Sequence, residues 1–310
     1  MESFSFQARD NTQVHTYRLE PDRPKGIIHI AHGMGEHAGR YVDLMQALKQ
    51  QGYAVTANDH RGHGKTAAQL GDFGTDGWAQ VLSDTRQILQ QQQHRHPNIP
   101  VVLLGHSMGA MLAQQYLSRW GNNLSALVLS GSPGINNLFL QWFIGRIVRF
   151  EAWRLGPLKH SKLLQLLVFG QSNKSFSKIA NATGFEWLSR DPVAVAEYMQ
   201  DPDCGGVPFP ESLGQLFAEE VACWEKPYIK LQTVSLPIYC ISGADDPVHN
   251  GLANLQRLFN VYQRAGLTVD LNIYPGGRHE MFNEINREQV ISDLLFWLDQ
   301  NLGSRAGSGQ

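Results

Sequence analysis

Short apolar runs, rich in β-branched residues and bounded by Gly, Asn or Asp, alternate with helical segments along most of this chain. Continuous apolar runs of this length are typical of strands buried on both faces of a parallel sheet. The intervening segments carry apolar residues at helical spacing, as in Tyr41, Leu44, Met45 and Leu48. The alternation predicts an α/β fold with a mostly parallel central sheet flanked by helices. The runs are Ile27–Ala31, Tyr53–Ala57, Val101–Gly105, Ala126–Ser130, Pro237–Ser242 and Leu267–Tyr274.

The alternation stops between residues 132 and 230, where aromatics, glycines and prolines mix with helical fragments. We predict that this segment is a helical cap over the carboxyl edge of the sheet, inserted into a core formed by residues 1–131 and 231–302. A packed helical subdomain without a gating role is the alternative interpretation. Residues 303–310 are rich in Gly and Ser and are predicted to be a flexible tail.

The charge balance excludes one class of partner. The 310 residues include 26 Lys and Arg against 28 Asp and Glu, a net charge of −2, whereas nucleic-acid-binding proteins usually carry a basic excess. We therefore expect no nucleic-acid partner. No apolar run approaches the ~18 residues of a membrane span, and the first residues lack the pattern of a secretory signal. These features predict a soluble, cytoplasmic protein.

The cysteines and histidines give no metal signature. Cys204, Cys223 and Cys240 are odd in number and form no CxxC pair, so we predict neither a disulfide framework nor a zinc site. His60 and His63 follow a predicted strand, but the spacing favours a structural turn over a metal site. No metal or organic cofactor is predicted.

The segment Gly105-His106-Ser107-Met108-Gly109 lies between a predicted strand and a predicted helix. In this context G-x-S-x-G is typical of a nucleophile elbow, in which a strained turn exposes the serine at the edge of the sheet. Small flanking residues allow so sharp a bend. Ser107 is therefore the candidate nucleophile, and a purely structural serine is the alternative.

A serine hydroxyl needs a base, and the base needs an acid that fixes its tautomer. His279 lies on a Gly-rich loop after the last predicted strand, and Asp245 and Asp246 follow the strand before it. Either carboxylate can serve as the acid. Asp246 is favoured because it precedes a proline and is thereby biased to extended geometry.

An oxyanion needs backbone donors. The amide of Met108, directly after the candidate nucleophile, is one. The amide of Met34, between Gly33 and Gly35 in the loop after the first buried run, is predicted to be the second.

The stretches HGMGEHAGRY, NDHRGHGKT, GHSMGA, SGADDPVHN and YPGGRHEMFNE resemble the monoacylglycerol lipase and lysophospholipase branch of the α/β-hydrolase fold. That branch is grouped with the S33 serine aminopeptidase-like hydrolases. The resemblance covers about residues 25–302. It implies that Ser107 is the nucleophile, Asp246 the acid and His279 the base, with oxyanion amides at Met34 and Met108.

The resemblance further implies that Glu36 and Arg40 support the oxyanion loop and the polar end of the pocket. The function it implies is hydrolysis of carboxylic esters, above all monoacylglycerol or lysophospholipid-type lipids, through an acyl-enzyme on Ser107. The expected partner is a small acyl ester, with a transient contact between the cap and a membrane surface. Apolar cap residues predicted to line the acyl pocket, to contact the membrane or simply to pack the cap onto the sheet are Phe139, Trp142, Phe143 and Ile144.

Three alternatives stay open at this point. The same residues suit a peptidase or amidase, for which cap glutamates such as Glu186 and Glu197 offer a site for the substrate amine. A non-catalytic binding protein of the same fold usually lacks one of the three catalytic groups. Acyl transfer differs from hydrolysis only in the acceptor. Dehalogenases and epoxide hydrolases carry aspartate at the position of Ser107, which argues against both.

Overall fold

The computed structural model describes residues 1–135, 138–170, 172–179, 182–225 and 234–302. Within them, one sheet has the strand order β1-β2-β4-β3-β5-β6-β7-β8. β1 pairs antiparallel with β2, β2 pairs antiparallel with β4, and every later pairing is parallel. The predicted mostly parallel sheet is confirmed. The strands are β1 (Glu2–Gln7), β2 (Gln13–Leu19), β3 (Gly26–Ala31), β4 (Tyr53–Asn58), β5 (Val101–His106), β6 (Ala126–Ser130), β7 (Ile238–Gly243) and β8 (Val269–Tyr274).

Helices cover both faces of the sheet, as successive β3 side chains show. Ile27 packs with Trp78 and Leu112 on one face, whereas Ile28 packs with Met45 and Leu298 on the other. Side chains of a strand alternate between faces, so a fully apolar strand supplies both cores. The helices are α1 (Val42–Gln50), α2 (Gly77–Arg95), α3 (Met108–Trp120), α4 (Leu138–Leu155), α5 (Lys162–Gln165), α6 (Pro192–Gln200), α7 (Pro210–Glu225), α8 (Leu252–Arg264) and α9 (Arg287–Leu302).

Helices α4 to α7 lie between β6 and β7, and the described residues of that segment include no strand. A separate apolar cluster, including Val148, Leu164, Phe169 and Leu213, packs them together. Helix α6 begins at Pro192, where the side chain of Asp191 accepts a hydrogen bond from the amide of Val193 at 2.9 Å. None of the helices described is long and apolar enough to cross a membrane.

Candidate active site

The turn between β5 and α3 holds Ser107 in a strained conformation, with φ 53° and ψ −114°. A Cβ added at Gly105 would lie 2.2 Å from the carbonyl oxygen of Gly109, and one at Gly109 would lie 2.0 Å from that of Ala31. Since both distances are far below van der Waals contact, only glycine fits at these two positions. The chain therefore bends sharply at Ser107 and places this residue in the wall of a cavity.

Met108 is the first residue of α3, so its amide has no acceptor within the helix. The amino end of a helix also favours negative charge. Met34 lies in the loop after β3, and both methionines line the same cavity as Ser107. The carboxylate of Glu36 holds this loop, because its Oε1 accepts a hydrogen bond from the amide of Gly33 at 2.6 Å. The two amides predicted to bind an oxyanion thus lie on elements that meet beside Ser107.

His279 and Asp246 form a buried pair, with 3.0 Å between Nδ1 and Oδ2. The second carboxylate oxygen of Asp246 accepts a hydrogen bond from the amide of Val248 at 2.8 Å. With Nδ1 donating its proton to Asp246, Nε2 is the ring nitrogen that can accept a proton. Asp245, the alternative acid, is exposed.

Burial lowers the pKa of His279, but the adjacent Asp246 carboxylate outweighs it, so the pKa is raised above its ordinary value. Burial likewise raises the pKa of Asp246, and the charge and hydrogen bond of His279 lower it overall. Part of the burial comes from Trp187, whose ring centroid lies 5.0 Å from that of His279. The pair therefore favours a charged imidazolium next to a carboxylate.

Two segments hold the loop that carries His279. On the core side, the amide of Asp245 donates to the carbonyl of Gly277 at 2.9 Å. On the side of the helical segment, the amides of His279 and Glu280 donate to the carbonyls of Trp187 and Leu188, at 3.2 and 2.8 Å. Backbone between α5 and α6 is consequently part of the support of the candidate base.

A cavity of about 240 Å³ joins these groups. Its polar end is formed by Ser107, His279, Glu36 and Glu280. Its remaining wall is largely apolar and comes in good part from the segment between β6 and β7, including Val168, Phe169, Leu188 and Phe217. A mainly apolar cavity with a few converging polar groups is the usual form of a small-molecule site.

Arg40 lies outside the lining of the cavity and connects Glu36 with Glu280. Its Nη1 donates to Glu36 at 2.8 Å, and its two terminal nitrogens donate to Glu280 at 2.6 and 2.7 Å. Burial raises the pKa of Glu280, but the Arg40 guanidinium brings it down to about 2. Burial lowers the pKa of Arg40, but the Glu280 carboxylate raises it by more, so the pKa lies above its ordinary value. Both groups are therefore charged at neutral pH, and they join the Met34 loop to the His279 loop.

Sequence reasoning missed Glu280, and its position directly after the candidate base was the available signal. It also missed the apolar wall. Val168 and Phe169 lie on a π-helical turn, Leu166–Gly170, which no periodicity of the sequence indicates.

The apolar residues singled out on α4 do not line this cavity. Trp142 and Phe143 are 54% and 51% exposed, and Ile144 packs with the cluster of the helical segment. The side chain of Phe139 lies outside the described residues. Helix α4 turns Val148 inward and these rings outward, so the prediction that Trp142, Phe143 and Ile144 form the wall of the pocket differs from the structure. The alternative, a contact with a membrane, is compatible with their positions.

His60 and His63 pack in a buried turn. The amide of His60 donates to Nε2 of His32 at 2.9 Å, and the ring centroids of His60 and His32 lie 4.1 Å apart. Burial lowers the pKa of His63 to about 4. In the described part of the chain, neither residue belongs to a group with metal-binding geometry.

Comparison with known proteins now assigns the chain to a family. A sequence profile described as serine aminopeptidase S33 matches residues 22–286. The chain belongs to this S33 family of serine hydrolases. Its fold, accordingly, is the α/β-hydrolase fold that the motifs predicted, and that prediction is confirmed.

Three similar proteins illustrate the relationship. A protein named monoacylglycerol lipase from Mycolicibacterium smegmatis is 29% identical over 290 residues, 90% of each chain. The human protein named monoglyceride lipase is 26% identical, over 89% of this chain and 83% of its own. The crystal structure of a thermostable carboxyl esterase from Bacillus coagulans in complex with glycerol superposes with a TM-score of 0.86 at 26% identity, covering 97% of this chain and 98% of that one.

Proposed function

We propose that this S33-family chain is a serine esterase that hydrolyses lipid carboxylic esters, with monoacylglycerol or lysophospholipid-type esters as its substrates. The observation that carries the proposal is the buried Asp246–His279 pair, at 3.0 Å, in one cavity with the strained Ser107. Relatives named monoacylglycerol lipase and carboxyl esterase support the ester class.

The proposed reaction has two halves. Ser107 Oγ attacks the ester carbonyl while Nε2 of His279 takes its proton, and the Met34 and Met108 amides stabilise the oxyanion. The tetrahedral intermediate expels the alcohol, which receives that proton and leaves an acyl-enzyme. A water then gives a proton to His279 and attacks the acyl group. The fatty acid departs as Ser107 recovers its proton.

The aminopeptidase alternative requires an acidic group free to bind the substrate amine. Glu186 does not offer one, because its carboxylate accepts hydrogen bonds from Thr183 and Asn173. Glu280 lines the cavity, yet both its oxygens are taken by Arg40. These contacts support an ester substrate over an amine-bearing one.

We also propose that α4 contacts a lipid surface transiently. Trp142, Phe143 and Trp153 expose 54%, 51% and 79% of their surface. Arg146 and Arg149 are exposed on the same helix, whose one acidic side chain, Glu151, is buried. Exposed aromatics interleaved with basic residues suit an anionic lipid interface. A helix that lies on the bilayer surface would deliver lipid esters next to the apolar cavity.

The test is a hydrolysis panel on the wild type and Ser107→Ala, with p-nitrophenyl esters of rising chain length, 1-monoacylglycerol, lysophosphatidylcholine and aminoacyl naphthylamides. We expect turnover of the lipid esters, abolished in Ser107→Ala. Turnover confined to aminoacyl amides would contradict the esterase and favour the peptidase. A chain that neither turns over any substrate nor reacts with a fluorophosphonate at Ser107 would be a binding protein.

Two neighbouring aspartates provide a matched pair for the catalytic roles. We expect Asp246→Asn to lower kcat by about 10⁴-fold, because the imidazole loses the acid that fixes its tautomer. Asp245→Asn changes an exposed carboxylate one residue away and should leave kcat near that of the wild type. Equal losses in the two variants would remove Asp246 from the proposed mechanism.

A further inference from the structure

A second group of ionisable side chains lies where the helical segment contacts the core. His37 precedes the short 3₁₀ helix Ala38–Tyr41, and Asp201 and Cys204 lie in the turn after α6. Their side-chain N, O and S atoms all lie within 4.8 Å of one another. None of the three lines the cavity that holds Ser107. The cluster is therefore distinct from the candidate active site.

The local backbone fixes this group before any ligand arrives. Nε2 of His37 donates to Oδ2 of Asp201 at 2.8 Å, while Oδ1 of Asp201 accepts from the amide of Asp203 at 2.9 Å. The amide of Cys204 donates to the carbonyl of Asp201 at 3.1 Å, which closes the turn. Cys204 is a free, partly buried thiol. All three side chains thus converge from elements held by hydrogen bonds.

The surroundings carry an excess of negative charge. Burial and then the carboxylates of Asp59, Asp203 and Asp201 raise the pKa of the nearby Tyr17 hydroxyl to about 12. Lys65 is the cation that lies over the Tyr17 ring. Arg40 also acts on Asp201 and Cys204, but it is itself paired with two carboxylates, Glu36 and Glu280. Carboxylates therefore outnumber cations around the cluster, which favours the approach of a metal ion.

We propose that His37, Asp201 and Cys204 bind a thiophilic divalent cation of the Zn²⁺ class and that the bound ion bridges the helical segment and the core. Imidazole, carboxylate and thiolate are the donors that Zn²⁺ takes in proteins. Three protein donors leave the fourth position to water, whereas structural zinc sites close all four with side chains. The bound ion can therefore exchange with ions in solution, and folding does not depend on it.

Binding rearranges two protons. Cys204 releases its thiol proton to solvent, because the thiolate is the form that binds the ion. The His37 proton moves from Nε2 to Nδ1, which breaks the 3.2 Å hydrogen bond that Nδ1 accepts from the amide of Gly39. The ion then replaces the contact between His37 and Asp201. The sequence shows no zinc spacing because His37 and the other two ligands come from distant segments.

The experiment is a Co²⁺ titration of the chelator-treated full chain, followed by the thiolate-to-Co²⁺ charge-transfer absorption. We expect saturation at one equivalent in the wild type. Cys204→Ser should abolish the absorption. Asp201→Asn should weaken binding by at least ~10-fold, because changes even to groups that only support a metal ligand cost about that much affinity. Cys223→Ser is the matched thiol control and should bind as the wild type does.

Zn²⁺ gives an independent readout, since an ion that binds only the native state raises Tm. It should raise the Tm of the wild type and Cys223→Ser, but not that of Cys204→Ser. Absence of the absorption in the wild type, or its persistence in Cys204→Ser, would overturn the proposal. If Cys204→Ser does not fold, Asp201→Asn, which keeps the side-chain volume, decides by the same two measurements.

Discussion

Arg40 and Glu280 form a bidentate ion pair, with N–O distances of 2.6 and 2.7 Å, between the loop that carries Met34 and the loop that carries His279. Both residues are largely buried, so neither charge can be satisfied by solvent. The ion pair makes the relative position of two proposed catalytic loops depend on one guanidinium.

We expect Arg40→Met to lower the free energy of unfolding by about 3–5 kcal/mol, because it leaves Glu36 and Glu280 as unpaired buried carboxylates. At a temperature where the variant is folded, kcat should fall by about 100-fold, as is typical when catalytic groups shift by an ångström. Urea unfolding and ester hydrolysis measure the two effects. Arg23→Met, at an exposed position, is the control and should change stability by no more than about 0.5 kcal/mol.

The pH dependence of catalysis follows from the His279–Asp246 pair. In the proposed mechanism, only neutral His279 can accept the proton of Ser107. Asp246 raises the pKa of His279 above its ordinary value of 6.5 despite burial. We expect kcat/KM for a neutral ester to decrease on the acid side with a midpoint above pH 6.5. In Asp246→Asn the midpoint should move down, because the attracting carboxylate is gone. A wild-type midpoint below pH 6.5 would contradict this electrostatic account.

The strained turn at Ser107 predicts a contrast between two glycines. Gly105→Ala places a methyl group 2.2 Å from a backbone oxygen, so we expect a loss of more than about 4 kcal/mol or failure to fold. Gly145→Ala lies on α4 with nothing within 4 Å of its added Cβ, and should stabilise the chain by about 0.5–1 kcal/mol. Chemical denaturation measures both. Similar effects at the two sites would mean that the close approach does not constrain the turn.

Buried histidines predict a loss of stability in acid. Burial lowers the pKa of His29 from 6.5 to about 4, so the unfolded chain binds more protons than the folded chain between these values. The free energy of unfolding therefore decreases as pH falls through that window, by about 2 kcal/mol for this histidine between pH 7 and 5. His29→Gln should remove that share of the pH dependence. His94→Gln, at an exposed position, should keep the full dependence in urea titrations at the two pH values.

The sheet and the turn at Ser107 could be predicted because local sequence dictates them. Fully apolar runs such as Val101–Gly105 fit a doubly covered strand, and the Gly105–Gly109 spacing meets a steric demand of the backbone itself. Helix α4 shows where such reasoning ends. It is apolar nearly all round, so its pattern does not say that Val148 faces inward and Trp142 outward. Packing against α7 and the neighbouring loops makes that choice, and no local signal encodes it.

The hydrogen bonds from His279 and Glu280 to the carbonyls of Trp187 and Leu188 bear on how this scaffold can be diversified, in the laboratory or by evolution. An exchange of residues 132–230 as one block would also replace the backbone that supports the proposed base. An exchange limited to residues 138–170 would replace α4, α5 and part of the apolar wall and would leave that backbone in place. Replacements intended to change substrate specificity are therefore best confined to residues 138–170, which end before Trp187.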